Sequence, residues 1–80
     1  MTFEKPLDRI TVDPDKMGGE PCIRGLRITV RNVLAYLLAY KNREELFDAF
    51  PELEEEDIRQ ALMFASASLK DFMVPLRIAS

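Results

Sequence analysis

The segment MGGEPCIRGLRITV, residues 17–30, passes from turn-forming to strand-forming composition and then into the beginning of a helix. It contains all three glycines of the chain and its single cysteine. Its last four residues, RITV, repeat residues 9–12, and in both copies apolar residues alternate with polar ones and β-branched residues predominate, which predicts short strands. Asp-Pro, Gly-Gly and Glu-Pro pairs lie between the copies and predict turns. We therefore expect a β-hairpin arm over about residues 9–30, with Cys22 and Ile23 adding to its ladder.

The pattern changes from strand to helix period after Thr29, which is placed as an N-cap. The first helix is expected to end near Tyr40. Asn42 then begins a second helix, with Glu45 positioned for a capping box. Apolar residues at helical spacing predict the buried faces of both helices: Val30, Val33, Leu34, Leu37 and Leu38 in the first, and Leu46, Phe47 and Phe50 in the second.

A third helix is expected from near Glu54, after Pro51 has ended the second, and it runs to about residue 73. Four consecutive acidic residues occupy its first turn, where the helix dipole favours negative charge. Its predicted buried stripe consists of Ile58, Ala61, Leu62, Ala65 and Leu69. The chain is thus predicted to be one mainly α domain, residues 1–80, with the hairpin arm, a three-helix unit over about 29–73 in a helix-turn-helix layout, and a tail over 74–80.

Composition argues against an enzyme. The 80 residues include no histidine, which removes the commonest general base and zinc ligand. Cys22 has no partner for a nucleophile–base pair and is interpreted as a small apolar strand residue. The N-terminal residues lack a signal-peptide pattern, and no apolar run approaches the roughly 18 residues of a membrane span. We expect a cytoplasmic protein without catalytic activity, metal or cofactor.

Charge is distributed unevenly along the chain. Residues 41–60 contain eight acidic and three basic side chains, whereas residues 1–31 contain five acidic and six basic ones. Arg24, Arg27 and Arg31 are candidate phosphate contacts, and the alternative is a solvated strand edge. The acidic start of the third helix would repel DNA at the end of a recognition helix that enters the groove. Any DNA contact is therefore expected from the three arginines.

Two further features are predicted to bind a protein partner. The acidic block at the start of the third helix suits a basic groove, where complementary charge speeds association. Alternating apolar residues in the tail suit a strand that adds to an exposed sheet edge. The alternatives are a solvated helix cap and a tail packed on the chain's own dimer. The candidate partner contacts are Glu54, Glu55, Glu56 and Asp57 in the helix, and Val74, Leu76 and Ile78 in the tail.

A homodimer is also predicted, because 48% of the residues are apolar and a domain of this size has a small core. Apolar and aromatic side chains that do not fit into such a core usually mark an interface. The candidate interface residues are Tyr36, Tyr40, Met63, Phe64, Phe72 and Met73.

The order of these motifs resembles the bacterial domain-of-unknown-function family 433. The segments RITVDPDKMGGEPCIRGLRITVRNVLAYL and EELFDAFPELEEEDIRQAL carry the resemblance, although Leu26 stands where the family often has threonine. The resemblance implies a homeodomain-like three-helix fold with an N-terminal hairpin arm. It also implies an antitoxin that neutralises a PIN-like ribonuclease in a type II toxin–antitoxin pair and represses its own operon by binding operator DNA. The alternative is a protein-interaction adaptor that does not bind DNA.

Overall fold

The computed structural model describes residues 7–69, which form three α-helices and a two-stranded antiparallel sheet. The strands are β1, Ile10–Thr11, and β2, Cys22–Ile23. The helices are α1, Val30–Ala39, α2, Arg43–Ala49, and α3, Glu55–Ser68. The predicted mainly α fold, with three helices and a short hairpin near the N-terminus, is confirmed. The predicted continuation of the third helix to residue 73 and the tail over 74–80 lie outside the described residues.

The hairpin pairs different residues from those that the RITV repeat predicts. β1 pairs with β2, with Ile10 opposite Ile23, so the prediction of a second strand over 27–30 is wrong. Thr29 makes only an isolated bridge to Cys22. The reason is that Thr29 is the N-cap of α1 and Val30 already belongs to the helix. Capping geometry therefore prevails over the strand propensity of the same residues.

A tight turn connects β2 to the beginning of α1. Arg24 and Gly25 both have positive φ, 46° and 72°. This conformation suits glycine but is strained for arginine. It reverses the chain so that the N–H of Ile23 donates to the carbonyl of Ile28 at 2.9 Å. The turn therefore places the Arg24 side chain at a fixed point beside the sheet.

The first two helices begin at the residues predicted as their caps. Thr29 Oγ1 accepts a hydrogen bond from the backbone of the third residue of α1 at 3.0 Å. The side chain of Asn42 accepts one from the N–H of Glu45 at 2.9 Å. Phe50 is the C-cap of α2, directly before Pro51.

The core lies where the hairpin and the three helices meet, with α3 packed against both α1 and β1. Its fully buried apolar members are Ile23, Val30, Val33, Leu46, Leu53, Ile58 and Ala61.

Three leucines predicted for the buried faces are exposed instead. Leu38 is 91% exposed, Leu62 is 43% exposed and Leu69 is 56% exposed. At 3.6 residues per turn, Leu38 lies about 140° around α1 from the buried Val33, and Leu62 lies about 100° around α3 from the buried Ala61. Each helix therefore carries a second apolar flank beside its core-facing stripe.

Three of the candidate dimer residues pack against the core of their own chain. Tyr36 stacks on Phe50 with ring centroids 4.0 Å apart, and Tyr40 meets the same ring edge-on at 5.9 Å. Phe64 is partly buried against the core. These three side chains contribute to the core but remain partly exposed, and their role in a dimer interface stays a prediction. Phe72 and Met73 lie outside the described residues.

Candidate functional site: a buried ion-pair cluster and an apolar groove

Asp57, in the first turn of α3, is the centre of a buried ion-pair cluster. Its side chain is completely buried. Oδ1 accepts from Arg24 Nε at 2.9 Å and from Arg9 Nη1 at 3.1 Å. Oδ2 accepts from Arg24 Nη2 at 3.0 Å and from the backbone N–H of Glu54 at 2.8 Å. Arg24 therefore donates to both carboxylate oxygens, and this bidentate geometry is the one in which an arginine–carboxylate pair is strongest.

The hairpin delivers both arginines to the helix. Arg9 immediately precedes β1 and Arg24 immediately follows β2, and the N–H of Arg24 donates to the carbonyl of Arg9 at 2.7 Å. The buried side chain of Gln60 adds a second attachment by accepting from the N–H of Arg9 and donating to Asp8, both at 2.9 Å. The two-stranded sheet is too short to be stable alone, so these contacts are what fix it on α3.

The acidic run predicted as a partner surface is neutralised within the chain. Each of its four carboxylates meets an arginine: Glu54 meets Arg9 at 2.6 Å, Glu55 meets Arg43 at 3.0 Å, Glu56 meets Arg59 at 2.7 Å, and Asp57 meets Arg24 at 2.9 Å. The prediction of Asp57 as a partner contact is wrong, because its carboxylate is buried beneath the hairpin. Glu54 and Glu55 remain exposed and Glu56 is partly exposed, but all three are members of ion pairs rather than of an uncompensated acidic block.

The cluster also shifts the proton affinities of its members. Burial raises the pKa of Asp57, but hydrogen bonds from Arg24, the backbone of Glu54 and Arg9 outweigh that effect and hold it below the ordinary value of 3.8. Hydrogen bonds from Arg59 and Gln60 lower the pKa of Glu56 to about 2. These carboxylates are therefore fully ionised at neutral pH.

We expect acid to weaken the attachment of the hairpin to α3. Because the pKa of Asp57 is lower in the folded chain, the unfolded chain takes up its proton first as the pH falls below about 4. The contribution of Asp57 is complete above that range and is lost as the pH falls through its folded-state pKa. Urea unfolding between about pH 5 and pH 2 measures the decline, and Asp57→Asn should show a shallower one because its side chain cannot titrate. Parallel pH profiles for the two proteins would contradict this account.

The three candidate phosphate contacts occupy different environments. Arg24 is committed to Asp57 and to the backbone carbonyl of Glu52, so its predicted role in DNA contact is replaced by a structural one. Arg31 is 77% exposed and pairs with Glu20. Arg27 is exposed and has no ion-pair partner among residues 7–69.

An open groove of about 390 Å³ lies between α1 and the C-terminal half of α3. Most of the groove lining is apolar and consists of Pro21, Val30, Leu34, Phe64, Ala65 and Leu69. The polar residues Glu20, Arg31 and Ser68 complete the lining. Sequence periodicity missed the groove because Leu34, Ala65 and Leu69 were assigned to single core-facing stripes. The sequence feature that could have indicated the groove is the width of those apolar stripes, which is greater than one packed helix face requires.

Residues 7–69 contain no group of three or more Cys, Asp or Glu side chains arranged to hold a metal ion. Cys22 is buried, and its Sγ lies 3.3 Å from the carbonyl oxygen of Glu20.

No helix within residues 7–69 has the length and apolar character needed to cross a bilayer. Val74, Leu76 and Ile78, the predicted tail contacts, lie outside the described residues.

Comparison with known proteins identifies relatives without a known activity. The sequence matches the family described as "Protein of unknown function (DUF433)" over residues 10–65. It is 39% identical over 59 residues to the uncharacterized protein y4eO of Sinorhizobium fredii (strain NBRC 101917 / NGR234). That match covers 74% of this chain and 27% of the relative, so the chain spans about a quarter of the relative's length. No solved structure matches.

Proposed function

We propose that this chain, which belongs to the DUF433 family of proteins of unknown function, is an antitoxin-like protein that binds and neutralises a PIN-like ribonuclease. The observation that carries the proposal is the contrast between its two surfaces. The carboxylates at the start of α3 are paired with the chain's own arginines, whereas Leu38 of α1 is 91% exposed and an apolar groove lies open between α1 and α3. Exposed apolar surface of this kind favours a protein partner.

The beginning of α3 is poorly suited to act as a DNA recognition helix. Helix-turn-helix proteins place the N-terminal residues of that helix against the bases. Here the corresponding turn contains four carboxylates, and the hairpin covers one of them completely through Arg9 and Arg24. The geometry therefore favours protein binding as the primary activity. That the partner is a ribonuclease is supported by the family resemblance alone.

The homodimer predicted from the sequence forms part of this proposal. Its interface is proposed to use Leu62, which is 43% exposed, and the partly exposed Tyr36, Tyr40 and Met63. Light scattering at micromolar concentration should give about twice the chain mass of 9.2 kDa. A mass of 9.2 kDa would remove the dimer from the proposal and leave the partner-binding role in place.

We expect Leu38→Glu to weaken binding to a PIN-like ribonuclease by about tenfold or more, because it places a charge in the apolar flank. Leu38 is 91% exposed, so the substitution leaves the core unchanged. Calorimetric titration with a PIN-like ribonuclease measures the affinity, and inhibition of RNA cleavage measures neutralisation. Ala39→Glu is the matched control, since it adds the same charge at the next exposed position of α1. Equal affinity of the two variants, or no binding by the native chain, would refute the proposal.

DNA binding through Arg27 and Arg31 is the second candidate function, favoured by the exposure of both guanidinium groups. If a dimer contacts about four phosphates through these two arginines, the logarithm of affinity should fall against the logarithm of salt concentration with a slope of roughly −3.6. Arg27→Ala and Arg31→Ala should each flatten the slope by about 1 per chain. Fluorescence anisotropy with the DNA upstream of the gene provides the measurement. Arg43→Ala, which removes an exposed arginine paired with Glu55, is the control and should leave the slope unchanged.

A further inference from the structure

The described chain ends on the rim of the α1–α3 groove. Leu69, its last residue, lines the groove together with Phe64, Ala65 and Ser68 of the same helix. Eleven residues follow, KDFMVPLRIAS, and five of them are large and apolar. An uncovered apolar groove and an apolar segment therefore begin at the same point of the chain.

We propose that residues 74–80 occupy the α1–α3 groove of their own chain in the free protein. Val74, Leu76 and Ile78 alternate along the sequence, so in an extended segment they share one face. The intervening Pro75 and Arg77 belong to the opposite face. An extended segment with one apolar side matches a groove whose lining is mostly apolar.

The length of the segment is sufficient for this docking. Along α3 the groove extends from Phe64 to Leu69, a rise of about 7.5 Å. Residues 70–73, which connect Leu69 to the docking segment, reach about 13 Å when extended, and this is enough for the chain to reverse direction and bring Val74 back to the groove. Pro75 favours an extended conformation at Val74, where the docking segment begins.

Attachment to the same chain also decides which copy supplies the segment. A segment on a short tether has an effective concentration in the millimolar range with respect to a site it can reach. At micromolar protein concentration, the chain's own segment therefore outcompetes the same segment of a second copy. Docking within one chain does not depend on the function proposed above. One consequence does depend on that function. A ribonuclease that binds Val74, Leu76 and Ile78 must first displace them from the groove.

Paramagnetic broadening in the full-length chain tests the docking. A spin label on Ser80→Cys should broaden the backbone amide signals of Leu34 and Ala65 in the groove. It should broaden those of α2 less, since no residue of α2 lines the groove. Mass spectrometry must show a single label, because Cys22 is buried. Absence of broadening at the groove amides would overturn the proposal.

Two further samples separate docking from proximity and from exchange between copies. Adding Leu76→Asp and Ile78→Asp to the labelled chain should abolish the broadening at Leu34, because charged side chains cannot enter the apolar groove. Persistent broadening would show that the tether alone brings the label near and would refute docking. In a mixture of isotope-labelled native chain and spin-labelled chain, we expect no broadening. Broadening there at the groove amides would assign the groove to a second copy instead.

Discussion

Arg24→Ala is expected to lower the free energy of unfolding by about 3 kcal/mol. The carboxylate of Asp57 is completely buried and receives two of its four hydrogen bonds from Arg24. Without that guanidinium group, a buried charge remains that Arg9 and the backbone of Glu54 compensate only in part. A chain of 80 residues has a total stability of roughly 4–12 kcal/mol, so the variant loses a large share of it.

Urea unfolding followed by circular dichroism measures this loss, with Arg27→Ala as the matched control. Arg27 lies three residues further along the chain and is exposed, so its removal should change the stability by less than about 0.5 kcal/mol. Arg24→Lys should recover only part of the loss, because an ammonium group cannot grip two carboxylate oxygens as a planar fork. Equal stability of Arg24→Ala and Arg27→Ala would show that Arg24 is a surface arginine, as the sequence had indicated.

The helix boundaries could be predicted because their causes are local. Thr29 and Asn42 cap α1 and α2 through hydrogen bonds to residues only three positions away. Pro51 ends the second helix through its effect on the residue before it. Signals of this range are complete within a short window of sequence, and no tertiary contact overrides them here.

The ion-pair cluster could not be predicted because its members are distant in sequence. Arg24 and Arg9 lie 33 and 48 positions from Asp57, and the strand pairing that brings them together was assigned mainly to residues 27–30, with Cys22 and Ile23 only as an addition. In sequence, four adjacent carboxylates are typical of a solvated helix start. The single clue was that Asp57 lies three residues after Glu54, the spacing of the capping box that the structure contains.

The groove was missed for a different physical reason. Periodicity identifies which residues of a helix share a face, but it does not say how wide the contacted part of that face is. Leu34 and Leu38 continue the apolar pattern of α1, yet the helix contacts the core mainly through Val30 and Val33. How neighbouring helices cross determines that width, and the crossing is a tertiary property.

Asp57→Ala is expected to cost less than Arg24→Ala, about 2 kcal/mol, although it removes the centre of the cluster. The two arginines that lose their partner are about one-third exposed, so water can solvate their guanidinium groups. The substitution also removes the cost of burying the carboxylate, and what remains is the loss of its hydrogen bonds, including the helix cap at Glu54.

The double variant Arg24→Ala/Asp57→Ala decides whether the buried charge is the cause of the larger loss. Once Asp57 is absent, removing Arg24 leaves no carboxylate unpaired, so the double variant should be about as stable as Asp57→Ala alone. It should therefore be more stable than Arg24→Ala, a reversal that additive surface contributions cannot produce. The four proteins of this cycle are compared by urea unfolding at neutral pH, where Asp57 is ionised. Additive losses would mean that Arg24 and Asp57 act independently, and the cluster would then not be what holds the hairpin on α3.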